Sequence, residues 1–137
     1  MSDLSFVLYR SEALMPVASK EEAALIAQAR ERNRVEGISG LLYRESDYFF
    51  QWFEGPTQAC ADLLARLRAD PRHAGVTVLA EGPLDRRHFA NWQMGLVHRG
   101  EESLFDYIAD HGLPGRNGEA TAIRDFMLGL ARSATSR

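Results

Sequence analysis

The chain has 137 residues, a formal net charge of −3 and a single cysteine, Cys60. That length supports one domain with a real core, and one cysteine excludes an intrachain disulfide or a cysteine-built zinc cage. Acidic and basic residues are mixed throughout, leaving no electrostatic footprint for nucleic acid, and no apolar stretch approaches membrane-spanning length.

The N-terminus, Met1-Ser2-Asp3-Leu4, has neither the basic region nor the apolar run of a signal peptide, so a reducing, cytoplasmic location is expected. Leu4 to Tyr9 reads as a first strand, with Val7 and Tyr9 on one face and Phe6 and Leu8 on the other. Ser19-Lys20-Glu21-Glu22 is a capping box that opens a helix running to about Asn33. After Gly37, Ile38 to Tyr43 forms a second strand, and Glu45-Ser46-Asp47 turns it into a third.

That third strand, Tyr48-Phe49-Phe50-Gln51-Trp52-Phe53-Glu54-Gly55-Pro56, is the densest apolar stretch of the chain. Alternation puts Phe49, Gln51 and Phe53 on one face and Phe50 and Trp52 on the other, so both faces require cover and the strand belongs mid-sheet. Gln51 is then an uncharged amide aimed into a core, where it requires hydrogen-bond partners. Thr57 begins a second helix whose Cys60, Leu63, Leu64 and Leu67 form a core stripe, which makes Cys60 a packing residue. Val76 to Ala80 is a fourth strand closed by Gly82-Pro83, and Asn91 to Val97 a fifth.

The order βαββαββ describes a ferredoxin-like α+β sandwich, with both helices on one sheet face. The other face is left to the tail, where Leu104, Phe105, Tyr107 and Ile108 suggest a short helix and Ala120, Ile123, Met127 and Leu130 another. Residues 1–98 are thus expected to form the body of the domain, and 99–137 a helical extension of the same domain.

The His residues 73, 88, 98 and 111 lack metal-ligand spacing, no Ser sits in a nucleophile elbow, and no Gly-rich phosphate loop is present. Any nucleotide cofactor would be held by its ring between the helices. Tyr9, Asn33, Gln51, Trp92 and Met94 stand out as polar or oxidisable groups. Singly each has an ordinary structural reading, Met94 as gap-filler and Asn33 as helix-end residue among them. Two uncharged amides aimed at one apolar site suit a polar heterocycle.

Leu8-Tyr9-Arg10-Ser11, Asn33 with Gly37-Ile38-Ser39-Gly40-Leu41-Leu42, Phe49 to Pro56, Arg66 with Ala69-Asp70-Pro71-Arg72-His73, and Asn91-Trp92-Gln93-Met94-Gly95 together resemble a BLUF domain, the blue-light sensor using flavin. The resemblance runs from about Leu4 to Val97. It implies a noncovalently held flavin, FAD or alternatively FMN or riboflavin, with Asn33, Arg32, Gln51, Arg66, Asp70 and His73 in contact with it. It further implies Tyr9, Gln51, Trp92 and Met94 as the photoactive set. Light-driven electron and proton transfer from Tyr9 would rearrange the Tyr9–Gln51–flavin hydrogen bonds, with strand five and the tail helices carrying the change to a downstream partner or a homo-oligomer. Arg32 departs from the Asn or His of many members. No catalytic role, nucleic acid, membrane or metal is expected. The alternatives are a small enzyme or ligand sensor with Asp70 and His73 as its acid–base pair, and a flavin-free interaction module.

Overall fold

The computed structural model describes residues 3–90, 92–100, 103–111 and 116–135, excepting the side chains of 73, 93, 94, 111, 116–119 and 133–135. Its elements are β1 (Leu4–Ala13), α1 (Lys20–Glu36), β2 (Ser39–Glu45), β3 (Tyr48–Pro56), α2 (Thr57–Ala69), β4 (His73–Leu84), β5 (Gln93–His98), α3 (Leu104–His111) and α4 (Arg116–Thr135). The sheet order is β4-β1-β3-β2-β5. β3 lies at its centre, antiparallel to both neighbours, and β5 joins β2 in parallel.

The central strand divides by face as its alternation requires. Phe49 and Phe53 share a core with Val7, Tyr9 and Leu42, covered by Leu25 and Ile26 of α1 and Cys60 and Leu63 of α2. Phe50 and Trp52 point the other way, into a core with Leu8, Leu41 and Tyr43 closed by Leu104 of α3 and Ile123, Phe126 and Met127 of α4. The tail thus covers the face that the first two helices leave bare. Trp52 stacks on Phe6 with ring centroids 4.3 Å apart. Gly40 is required where β2 runs against β3, because a Cβ there would stand 2.0 Å from the Trp52 carbonyl oxygen.

β1 and β4 are longer than their apolar runs suggest. β4 continues through Gly82 and Pro83, pairing Pro83 with Ser5. β4 is an edge strand, so a residue lacking an N–H can face the unpaired side. Helix α2 begins without a side-chain cap; Thr57 instead donates its N–H and hydroxyl to the Asp3 carbonyl. Burial pushes the Cys60 thiol up to about 11, consistent with an inert core residue.

Two buried carboxylates tie the layers together. Glu22 completes the α1 cap by accepting from the Ala18 N–H and also holds Arg44 and His98, each at 2.8 Å. Arg44 is itself buried and donates further to the Met15 and Ser46 carbonyls. Glu45, at the end of β2, accepts from Tyr43, Ser103 and the Leu104 N–H and so fixes the start of α3. Burial alone would raise both carboxyls. Hydrogen bonds from His98 and Arg44 to Glu22, and from Ser103, Tyr43 and Leu104 to Glu45, outweigh it and hold both below the usual carboxylate range.

A carboxyl depressed on folding stabilises the fold above its unfolded pKa and loses that contribution as pH falls through its folded value. The melting temperature should therefore lose the contribution of these carboxyls progressively below about pH 5. A melting temperature that rises on acidification from pH 5 to about pH 3 would contradict this linkage.

Candidate functional site

Tyr9 and Gln51 are directly opposed partners in the β1–β3 ladder, and Leu42 opposes Gln51 from β2. Opposed residues in an antiparallel pair project from the same face with Cβ atoms about 4.5–5.5 Å apart. Both side chains therefore stand together beneath the two-helix layer, with Tyr9 1% and Gln51 4% exposed. Burial, with a smaller contribution from the negative charge of Asp70, pushes the Tyr9 phenol far above its ordinary value. It is a protonated donor at every physiological pH, beside a carboxamide that can both donate and accept.

Asn33 lies on the inward stripe of α1 with Glu22, Leu25 and Ile26. Gly37, at φ 73°, ends the helix in the left-handed conformation, and the N–H groups of Gly37 and Ile38 both close onto the Asn33 carbonyl. The residue is thus fixed by the cap, yet both atoms of its side-chain amide are buried with no hydrogen-bond partner among the described residues. An unpaired buried amide costs about 1–3 kcal/mol and is rare in native folds. On α2, Arg66 reaches Glu36 of α1 at 2.7 Å. Its Nε is likewise buried without a partner among the described residues. An unsatisfied donor and acceptor on α1 and an unsatisfied donor on α2 suit a bound heterocycle with a polar edge, so the residues present fit a flavin.

Asp70, which closes α2, pairs with Arg72 at 2.8 Å, and Arg72 also donates to Gln28 of α1. This bridge and Arg66–Glu36 join α1 to α2 and to the segment that follows it. Arg32 is exposed and lines a groove of about 710 Å³ on α1 with Gln28, Glu31 and Val35. The side chains of His73 and Met94 lie outside the described part of the structure.

Trp92 lies in the connection that precedes β5, whose first residue is Gln93. Its ring packs in the back-face core, against Gly95 and beside Leu128 and Ala131 of α4, away from Tyr9.

A family model described as "Sensors of blue-light using FAD" matches residues 4–95, the span that carries Tyr9, Asn33, Gln51 and every other proposed site residue. This chain belongs to the BLUF family. The BLUF chain is 31% identical to photoactivated adenylate cyclase subunit beta of Euglena gracilis across 98% of its own length, and 32% identical to subunit alpha of the same organism. It spans only 14% and 12% of those proteins, whose cyclase activity is theirs. Among solved structures, the dark-state structure of the BLUF protein BlrB matches with a TM-score of 0.77 at 30% identity, covering 97% of this chain and 98% of that one. The photo-activated state of BlsA, at 22% identity and a TM-score of 0.77 over 91% of this chain and 94% of that one, shares the fold.

The BLUF strand β3 also carries a residue to which its sequence pattern assigned no role. Glu54 is fully buried on the back face, its carboxylate ringed by donors. Alternation places it with Trp52. A carboxylate inside an aromatic stretch is the one local signal that marks it out.

Proposed function

We propose that this BLUF domain is a blue-light photoreceptor in which Tyr9 and Gln51 form the switch and Asn33 anchors the flavin. The observation that supports it best is the juxtaposition of an opposed, buried Tyr9–Gln51 pair with the orphaned Asn33 amide on the same side of the sheet. When bound, the flavin supplies blue-light absorption and an excited state that is a strong oxidant. The chain supplies the rest.

Asn33 offers donor and acceptor to a heterocycle edge, with Arg66, Asp70, Arg32 and His73 as further binding residues. Tyr9 is held protonated by its burial and can release and regain its proton at Oη toward the neighbouring carboxamide. Gln51, by rotation or tautomerisation, exchanges the ends that donate and accept, which reverses the bonding pattern without breaking a covalent bond. An ionised glutamate there would present acceptors only and could not reverse. Met94 in β5 would sense the change. Trp92, on the back face, suits relay toward α4 better than electron donation.

FAD is the cofactor favoured by the family description, and FMN or riboflavin would satisfy the same ring contacts. Residues 1–98 form the sensor and 99–137 its output extension, acting on a partner protein or through a homo-oligomer in the cytoplasm. No membrane-spanning helix occurs among the described residues. The acid–base reading of Asp70 with His73 is weakened by the Arg72 guanidinium, which contacts both Asp70 carboxylate oxygens.

Asn33→Ala tests the anchor. Loss of its hydrogen bonds should weaken flavin affinity about tenfold or more by titration of the apoprotein. An unchanged affinity would remove Asn33 from the binding set.

A further inference from the structure

Glu54 is 0% exposed, and its carboxylate accepts hydrogen bonds from four donors among the described residues. Oε1 accepts from the Trp52 indole N–H at 2.8 Å and the His88 N–H at 3.0 Å; Oε2 accepts from the Phe89 N–H at 2.8 Å and the Ser39 hydroxyl at 3.4 Å. Arg87 adds an outer strap, donating to the Ser39 hydroxyl and the Gly37 carbonyl. Residues 87–89 are thereby fastened to the back of β2 and β3.

The fastening continues into β5. The Phe89 carbonyl accepts from the Trp92 N–H at 3.0 Å, and the Trp92 carbonyl accepts from the Gly40 N–H at 2.8 Å. Gln93, the first residue of β5, pairs with Gly40, and the β2–β5 register shifts immediately after that pair. A short chain of hydrogen bonds therefore runs from Glu54 to the entry of β5. Glu54 lies three residues from Gln51 on the same strand, but on the opposite face.

Resting on the photocycle proposed above, we infer that Glu54 is a positioning residue: its carboxylate clamps the β4–β5 connection and fixes the resting register of β5, so that a change at Gln51 reaches β5 as a displacement against a fixed point. Four donors require an acceptor-only group. Glu54→Gln keeps the shape but turns an NH2 group toward N–H donors, which breaks the clamp on one side. The flavin side is untouched, since Tyr9, Gln51 and Asn33 lie across the sheet.

The test uses the full flavin-loaded chain. Glu54→Gln should keep the absorption maximum and the amplitude of the light-induced red shift. Its return to the resting spectrum should slow about tenfold, the equivalent of one charge-assisted hydrogen bond remade on the way back. Light-induced hydrogen exchange across 87–98 should lose its contrast, because the segment is already released. A purely structural Glu54 would lower the melting temperature and leave recovery and exchange contrast alone.

Arg87→Ala, which loosens only the outer strap, should slow recovery in the same direction and provides the reading if Glu54→Gln does not fold. Wild-type recovery and exchange contrast in Glu54→Gln would overturn the inference, as would an unchanged Arg87→Ala where Glu54→Gln is unfolded. A wild-type protein that binds flavin but shows no red shift would overturn the photoreceptor reading itself, a result distinguishable from either.

Discussion

Gln51→Leu and Tyr9→Phe should each abolish the light-induced spectral shift while leaving a folded, flavin-loaded protein. The two side chains are opposed across β1 and β3, both buried, and both on the helix-covered face. Leucine fills much of the space of the carboxamide but can neither donate nor accept, so nothing remains to reverse. Phenylalanine keeps the packing of Tyr9 against Phe53 and removes only the hydroxyl. Each substitution leaves the orphaned Asn33 amide in place, so flavin binding should persist. Illuminated-minus-dark absorption spectra check both. A shift of wild-type size in either variant would take that residue out of the switch.

Arg44→Met should produce the largest loss of stability. Arg44 is 1% exposed, pairs with Glu22 at 2.8 Å, donates to the Met15 and Ser46 carbonyls, and lies 5.2 Å from the Phe49 ring centroid. Methionine matches much of the aliphatic stem but strands Glu22 as a buried charge held by His98 and the Ala18 N–H. Removing one partner of a buried ion pair costs about 3–5 kcal/mol. Equilibrium urea unfolding would register this as a lower midpoint at unchanged slope. A loss below about 1 kcal/mol would show that the pair contributes no more than an exposed one. The double variant with Glu22→Gln should recover part of the loss, because the stranded charge is then gone.

The legible parts of this structure are those set by local periodicity. Alternation in β3 placed Phe49 and Phe53 with the helices α1 and α2, and Phe50 and Trp52 with the tail. The same rule in β1 put Tyr9 on the face of Val7, the strand pairing then sets it opposite Gln51, and the break at Gly37 put Asn33 at the helix end where its backbone is capped. Trp92 escaped because it sits in the connection before β5, where alternation has no meaning. The buried charges escaped for a different reason. Glu54 bonds Phe89 at 35 residues' separation, Glu45 bonds Leu104 at 59 and Glu22 bonds His98 at 76. No local pattern specifies such partners. Glu22 read as a capping residue, and it is one, but the cap occupies only part of its carboxylate.

The two faces of β3 therefore carry different work. On the proposed reading, the helix side holds the switch pair Tyr9 and Gln51 and the flavin anchor Asn33. The tail side holds Trp52, Glu54 and the packing that ties β5 and the output helices to the same strand. Motion at Gln51 has a mechanical route through one central strand to both, provided the Tyr9–Gln51 pair responds to light.

The most direct test of that condition is the absorption spectrum of the purified, flavin-loaded protein before and after blue illumination. The account predicts a small red shift of the flavin band that appears on illumination, reverts in the dark and is absent in Gln51→Leu. A protein that takes up no flavin, or one whose flavin band is unmoved by light, would contradict it.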